Sequence, residues 1–190
     1  MNKARVEAFS DGVIAVIITI MVLEMKVPHG DDFASLAPVI PVFLSYVLSF
    51  IYAGIYWGNH HHLFHAVKQV NGRVLWANLH LLFWLSLIPF MTGWMGETGF
   101  HAIPVALYGV VLLCSGLAFV ILTRTLVRLH GRDSLLAQSI RGDTKGKISM
   151  ILYAVAIPLA FVSVWIACAI YVLTAAMWIV PDPRIENAIT

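Results

Sequence analysis

Charge is what this 190-residue chain has least of. Only 12% of its residues are Asp, Glu, Lys or Arg, against 60% hydrophobic residues and a mean hydropathy of +0.86. Soluble domains carry about 25% charged residues, so a water-soluble globular fold is excluded. Also missing are the alternating segments of about ten residues that a membrane barrel needs. What remains is an all-α integral membrane protein, because in lipid only helices and closed barrels satisfy every backbone polar group. The first apolar run has no small-residue cleavage site and leads into Glu24, Lys26 and Pro28, so it is expected to stay as a mature helix. Cysteine is scarce too. Cys114 and Cys168 both sit inside apolar runs and read as small packing residues, not as a disulfide or metal pair. No low-complexity segment interrupts the chain, and no nucleic-acid partner is expected.

Six apolar segments are present, separated by polar or Pro/Gly punctuation. The first covers residues 6–27 and is closed by His29, Gly30, Asp31 and Asp32. The second follows Pro38 and Pro41, which suit a first helical turn, and reaches about Val67. The third runs over 73–91, and the fourth starts after Pro104 and ends near Leu129. A long polar loop follows. The last apolar block, 148–180, is too long for one crossing and is divided at 161–163, just after Pro158; the Pro-Asp-Pro at 181–183 ends it. Residues 1–190 thus form a single transmembrane unit of six helices.

Charge tests this layout independently of hydropathy. With both termini cytoplasmic, Lys3, Arg5, Lys68, Arg73, Arg124, Arg128, Arg132, Arg141, Lys145, Lys147 and Arg184 lie inside, and Lys26 alone lies outside. That asymmetry is what the positive-inside rule expects of six crossings, whereas fusing the last two helices puts Arg184 outside. The expected location is the bacterial inner membrane, in contact with lipid.

The first helix begins oddly, with Arg5, Glu7, Ser10 and Asp11 just before its apolar run. At about 100° per residue, Gly12, Val16, Thr19, Ile20 and Leu23 share one stripe, while Ser10 and Asp11 point more than about 100° away from Val16. A carboxylate at this depth is costly unless paired or wet. Asp11 should therefore turn towards protein partners. Candidates are Asn59, His60, His61, His62 and His65 on the second helix and Asn78 and His80 on the third, which with Arg5 offer a polar lock across three helices.

The stretch RVEAFSDGVIAVIITIMVLEMKVP resembles the R-x-x-x-F-S-D signature that opens the first helix of the lysosomal potassium channel, transmembrane protein 175, and its prokaryotic homologues. The resemblance extends over the chain: six helices, His and Asn positions in the second and third, LSLIPF late in the third and a Pro-terminated last helix. It implies a potassium channel, modestly selective, built as a homotetramer with the first helix lining the pore. A single FSD fits the one-unit prokaryotic form. Carried over by position after the FSD aspartate, the hydrophobic constriction falls on Val16, Ile20 and Leu23, and the selectivity ring on Thr19. The structural FSD network falls on Arg5, Phe9, Ser10 and Asp11 with His61, Asn78 and His80. Val16 is smaller than the isoleucine or leucine often found there. No TVGYG-like run exists, so selectivity must come from apolar side chains and a hydroxyl ring. No cofactor is implied beyond permeant potassium and other monovalent cations.

Other classes fit less well. GNHHHLFH places His61 and His65 on one face at i, i+4, a spacing that can hold a metal. However, His29, His80, His101 and His130 stand alone and no H-E-x-x-H occurs, so neither a metal site nor an enzyme is expected. A pH-sensing role for these imidazoles stays open. A secondary or proton-coupled transporter would want ionisable groups at the bilayer midplane; here the acidic residues lie at helix ends or in loops. Aliphatic residues at helical spacing ordinarily just pack, and a hydroxyl such as Thr19 ordinarily bonds back to its own helix.

Overall fold

The computed structural model describes residues 2–131, 134, 136 and 143–179. Every element in it is helical. α1 spans Lys3–Leu23 and starts where the Asn2 carboxamide accepts the Ala4 N–H at 3.0 Å. It ends four residues before the expected 27, because Glu24, Lys26 and Pro28 leave the last part of that segment without an apolar face. A 3₁₀ turn, Phe33–Val39, is capped by Asp32, whose carboxylate accepts from the Ser35 N–H and hydroxyl; the hydroxyl bond comes first among the causes that lower the Asp32 pKa. The turn feeds α2, Ile40–His65, with Pro41 in its first turn.

The third segment is two helices, not one. α3 covers Gly72–Ser86, capped by Asn71, and α4 covers Ile88–Glu97. The break at Leu87 has a local cause: Pro89 has no N–H to donate to the preceding turn. Together they form one apolar span, Gly72–Glu97, which runs six residues past the expected end at 91. Gly99 and Phe100, both at φ 63°, turn the chain into α5, Ala102–His130, which stops at Gly131 with φ 91°. α6 is Thr144–Leu159, capped by the Asp143 carboxylate, and α7 is Val164–Ile179. The turn between them, 160–163, sits where the last apolar block was divided, with Pro158 inside the final turn of α6. The expected stop at 181–183 and the charges Arg132, Arg141 and Arg184 lie outside the described residues.

The chain is thus an all-helical membrane protein of six helices, counting α3 and α4 as one. Among the described residues, four spans are long and apolar enough to cross a bilayer by themselves: Lys3–Leu23, Phe33–His65, Gly72–Glu97 and Ala102–His130. α1 packs on α2, α3 and α4, while α5 packs on α3, α4 and α6.

Two devices hold the bundle together. In the middle of the bundle, Tyr52, Tyr108, Tyr153 and Tyr171 meet ring to ring at 5.7 to 6.4 Å. Their hydroxyls are not stranded: Tyr52 donates to the Tyr171 carbonyl at 2.7 Å, Tyr171 to the Val105 carbonyl at 3.1 Å, and Tyr108 pairs with Ser49. Elsewhere small residues allow close approach, as expected where helices associate without a hydrophobic driving force. A Cβ on Gly96 would lie 2.6 Å from the Val42 Cα, so α4 rests directly on the α2 backbone.

Candidate functional site

α1 has two chemically different faces. Val6, Ser10, Ile14, Ile17 and Met21, spaced three and four apart, are buried against the other helices of the subunit. Gly12, Val16, Thr19, Ile20 and Leu23 lie on the opposite side and touch little: Val16 is 53% exposed, Ile20 42% and Leu23 80%. A Cβ on Gly12 would find nothing within 4 Å. The Thr19 hydroxyl donates back to the carbonyls of Ala15 at 3.1 Å and Val16 at 3.0 Å. Its proton is therefore occupied, and the oxygen lone pairs remain available on the exposed face.

Behind this face the polar residues form a lock. Ser10 is fully buried and donates to the Val6 carbonyl at 2.8 Å, while the Asn78 side-chain N–H donates to the Ser10 oxygen at 2.9 Å. The Asn78 carbonyl oxygen lies 2.8 Å from His60 Nε2, so three helices are joined through one carboxamide. The His60 ring stacks on Phe64 with centroids 4.4 Å apart. Asp11 is half-buried and accepts from the Trp57 indole N–H at 3.0 Å.

The members of this lock differ in part from those expected. His60 occupies the buried position, and His61 instead faces Glu7 at 3.5 Å while stacking beneath Trp57. His80 accepts from Trp84 on its own helix at 3.0 Å and does not reach α1. Arg5 and Phe9 are exposed on the subunit surface. Trp57 was missed; the available signal was its place four residues before His61, on the same face as the polar cluster. A second chain of hydroxyls braces α1 further along: Thr92 on α4 donates a 2.7 Å bond to the Ile88 carbonyl, lies 2.6 Å from Ser49 on α2 and touches the Met21 sulfur at 3.8 Å. Among the described residues no group of three or more His, Cys, Asp or Glu side chains could hold a metal.

At the C-terminal end of α1 the Lys26 ammonium bonds Glu97 at 2.7 Å, and that hydrogen bond, then the Glu97 charge, raises the Lys26 pKa.

Comparison with known proteins places this arrangement. The profile of a family described as the endosomal/lysosomal potassium channel TMEM175 matches residues 5–89, which hold α1, α2 and α3 with the whole polar lock. A potassium channel of a Chryseobacterium species is 53% identical over 189 residues, covering 100% of this chain and 98% of its own. The chain belongs to the TMEM175 family. A Streptomyces collinus potassium channel of this family is 32% identical, covering 99% of this chain and 98% of the relative. The crystal structure of a lysosomal potassium-selective channel TMEM175 homologue from Chamaesiphon minutus superposes with a TM-score of 0.76 at 28% identity, over 93% of this chain and 95% of that one. The TMEM175 fold is therefore shared, and the family is one of channels, not enzymes.

Proposed function

We propose that the protein is a modestly potassium-selective cation channel, formed by four copies of the chain around an axis lined by α1. The observation that carries this reading is the split character of α1: its polar and apolar buried stripe is locked into the subunit, while Val16, Thr19, Ile20 and Leu23 face outward, exposed among the described residues. Four such faces around a fourfold axis enclose a lumen, which one subunit cannot do. The relatives described as potassium channels supply the ion.

Within that lumen Val16, Ile20 and Leu23 make stacked apolar rings. An apolar neck disfavours wetting and obliges an ion to shed water. Potassium holds its hydration shell less tightly than sodium, so the neck favours it. Thr19 adds a ring of hydroxyl oxygens whose protons are engaged by their own helix, which leaves acceptor lone pairs to replace part of the lost water. Both termini are taken as cytoplasmic from the distribution of Lys and Arg. Purified protein in liposomes, with potassium and sodium flux compared and the oligomer mass measured, tests the reading. Tetramer mass and faster potassium flux are expected; a monomer in mild detergent, or cross-links placing α5 at the axis, refutes it.

A further inference from the structure

α1 ends with a charge in an unfavourable place. Glu24 is its C-cap residue, in helical backbone (φ −70°, ψ −17°), one position beyond Leu23. The C-terminal end of a helix carries partial negative charge from its unpaired carbonyls, so cations stabilise it and carboxylates do not. α1 nevertheless has no basic residue in its last turn. Lys26 is not bonded to Glu24 either: its ammonium is bonded to Glu97 on α4 and reaches Glu24 only through the weaker pull of its charge. Among the described residues the exposed Glu24 carboxylate has no hydrogen bond or ion pair. It lies along α4 at Gly93, where an added Cβ would sit 3.0 Å from Glu24 Oε2. Gly93 thus gives the carboxylate a seat beside the end of α1.

Resting on the tetrameric channel reading above, we infer that Glu24 determines how fast cations reach the neck, by making the mouth where α1 ends electronegative. Four α1 C-termini and four unpaired carboxylates converge there. Their fields add, whereas the Lys26 and Glu97 pairs contribute almost no net charge. Seated against Gly93, the carboxylates flank the opening without filling it, so they raise the local concentration of monovalent cations without binding one tightly. Glu24 acts through its field and does not discriminate potassium from sodium, a task left to Thr19 and the apolar rings.

The test is salt-dependent flux through the full-length protein in liposomes of neutral lipid, with potassium as the probe. At about 10 mM salt the Debye length is about 30 Å, and at about 1 M it is about 3 Å, so a field effect must fade between the two. Glu24→Gln is expected to slow potassium entry by about tenfold at low salt and to match the wild type at high salt. Glu24→Asp should keep most of the low-salt flux, and Lys26→Gln, which releases the Glu97 charge, should raise it. The potassium to sodium ratio should not change in any of them. Equal loss at both salt concentrations would assign Glu24 a structural role, and unchanged low-salt flux in both Glu24→Gln and Lys26→Gln would remove the field; either overturns the inference while leaving a conducting wild type. A wild type that is monomeric or impermeable brings down the channel reading and this inference with it.

Discussion

Asn78 donates to the Ser10 hydroxyl at 2.9 Å, and this bond ties α3 to α1 across 68 residues of chain. Because the same carboxamide also meets His60 at 2.8 Å, the rotation of α1 about its axis is set by polar partners on two helices. Apolar packing alone would tolerate several rotations; a buried hydroxyl with a single set of partners does not. Fixing Ser10 inward leaves Val16, Thr19 and Ile20 on the free side.

Removing the carboxamide should therefore cost more than removing the charge beside it. Asn78→Leu strands His60 Nε2 and takes the donor from Ser10, all three residues being fully buried, for an expected loss of about 1 to 3 kcal/mol. Membrane hydrogen bonds measured by double-mutant cycles average about 0.6 kcal/mol, so the lower half of that range is expected. Asp11→Ala exposes one indole N–H that is already half-exposed and should cost less. Thermal unfolding in detergent checks the order, and a Tm lower for Asp11→Ala than for Asn78→Leu would show the lock to be centred on the carboxylate.

The contact between Gly96 and Val42 leaves no room for a side chain. With a Cβ only 2.6 Å from the Val42 Cα, Gly96→Val forces α4 away from α2 and should destabilise by about 1 to 3 kcal/mol, the usual cost of overpacking. Gly12→Ala, where nothing lies within 4 Å in the subunit, should leave monomer stability unchanged. Any effect of Gly12→Ala on oligomer mass would then report contact between subunits. Unfolding and mass measurements on the two variants separate these outcomes.

Much of this was readable in advance, and the rest was not for definite reasons. Apolar segments separated by Pro, Gly and charge marked the helices, and a 100° step placed Val16, Thr19, Ile20 and Leu23 on a different face from Ser10. The LSLIPF run is apolar throughout and hides a break, because Pro89 within it ends α3 at Ser86. The choice among His60, His61 and His62 was harder: neighbours on a helix differ by about 100°, so only the packing of α2 on α3 decides which one meets Asn78. Indole donors such as Trp57 look apolar in a hydropathy count, which hides the partner of Asp11.

The histidine cluster should be indifferent to metal. His61 and His65 stack with centroids 6.2 Å apart, and Glu7 approaches His61 at 3.5 Å, yet among the described residues no three such side chains are grouped so as to hold a metal. Chelator treatment is expected to leave flux and stability unchanged, with less than about one equivalent of zinc or iron per subunit, because a structural zinc site needs four ligands. Stoichiometric metal on elemental analysis would restore the metal reading.

The neck joins the rotation of α1 to conduction. Val16, Ile20 and Leu23 recur at intervals of four and three, and all three are exposed in the subunit, so in a tetramer they stack as rings with Thr19 between the first two. Conduction then depends on how readily water fills the constriction. Ile20→Asn should wet it and raise potassium flux. Thr19→Ala removes the hydroxyl oxygens and should lower preference for potassium over sodium with a smaller effect on total current. Ile18 is the control: it is half-buried, packed against the subunit core and off the exposed stripe, so Ile18→Asn should cost some stability but leave flux and selectivity alone. Equal flux gains in Ile18→Asn and Ile20→Asn would mean that the lumen face is misassigned. If none of the three substitutions changed cation flux in liposomes, ions would have to pass somewhere other than along α1.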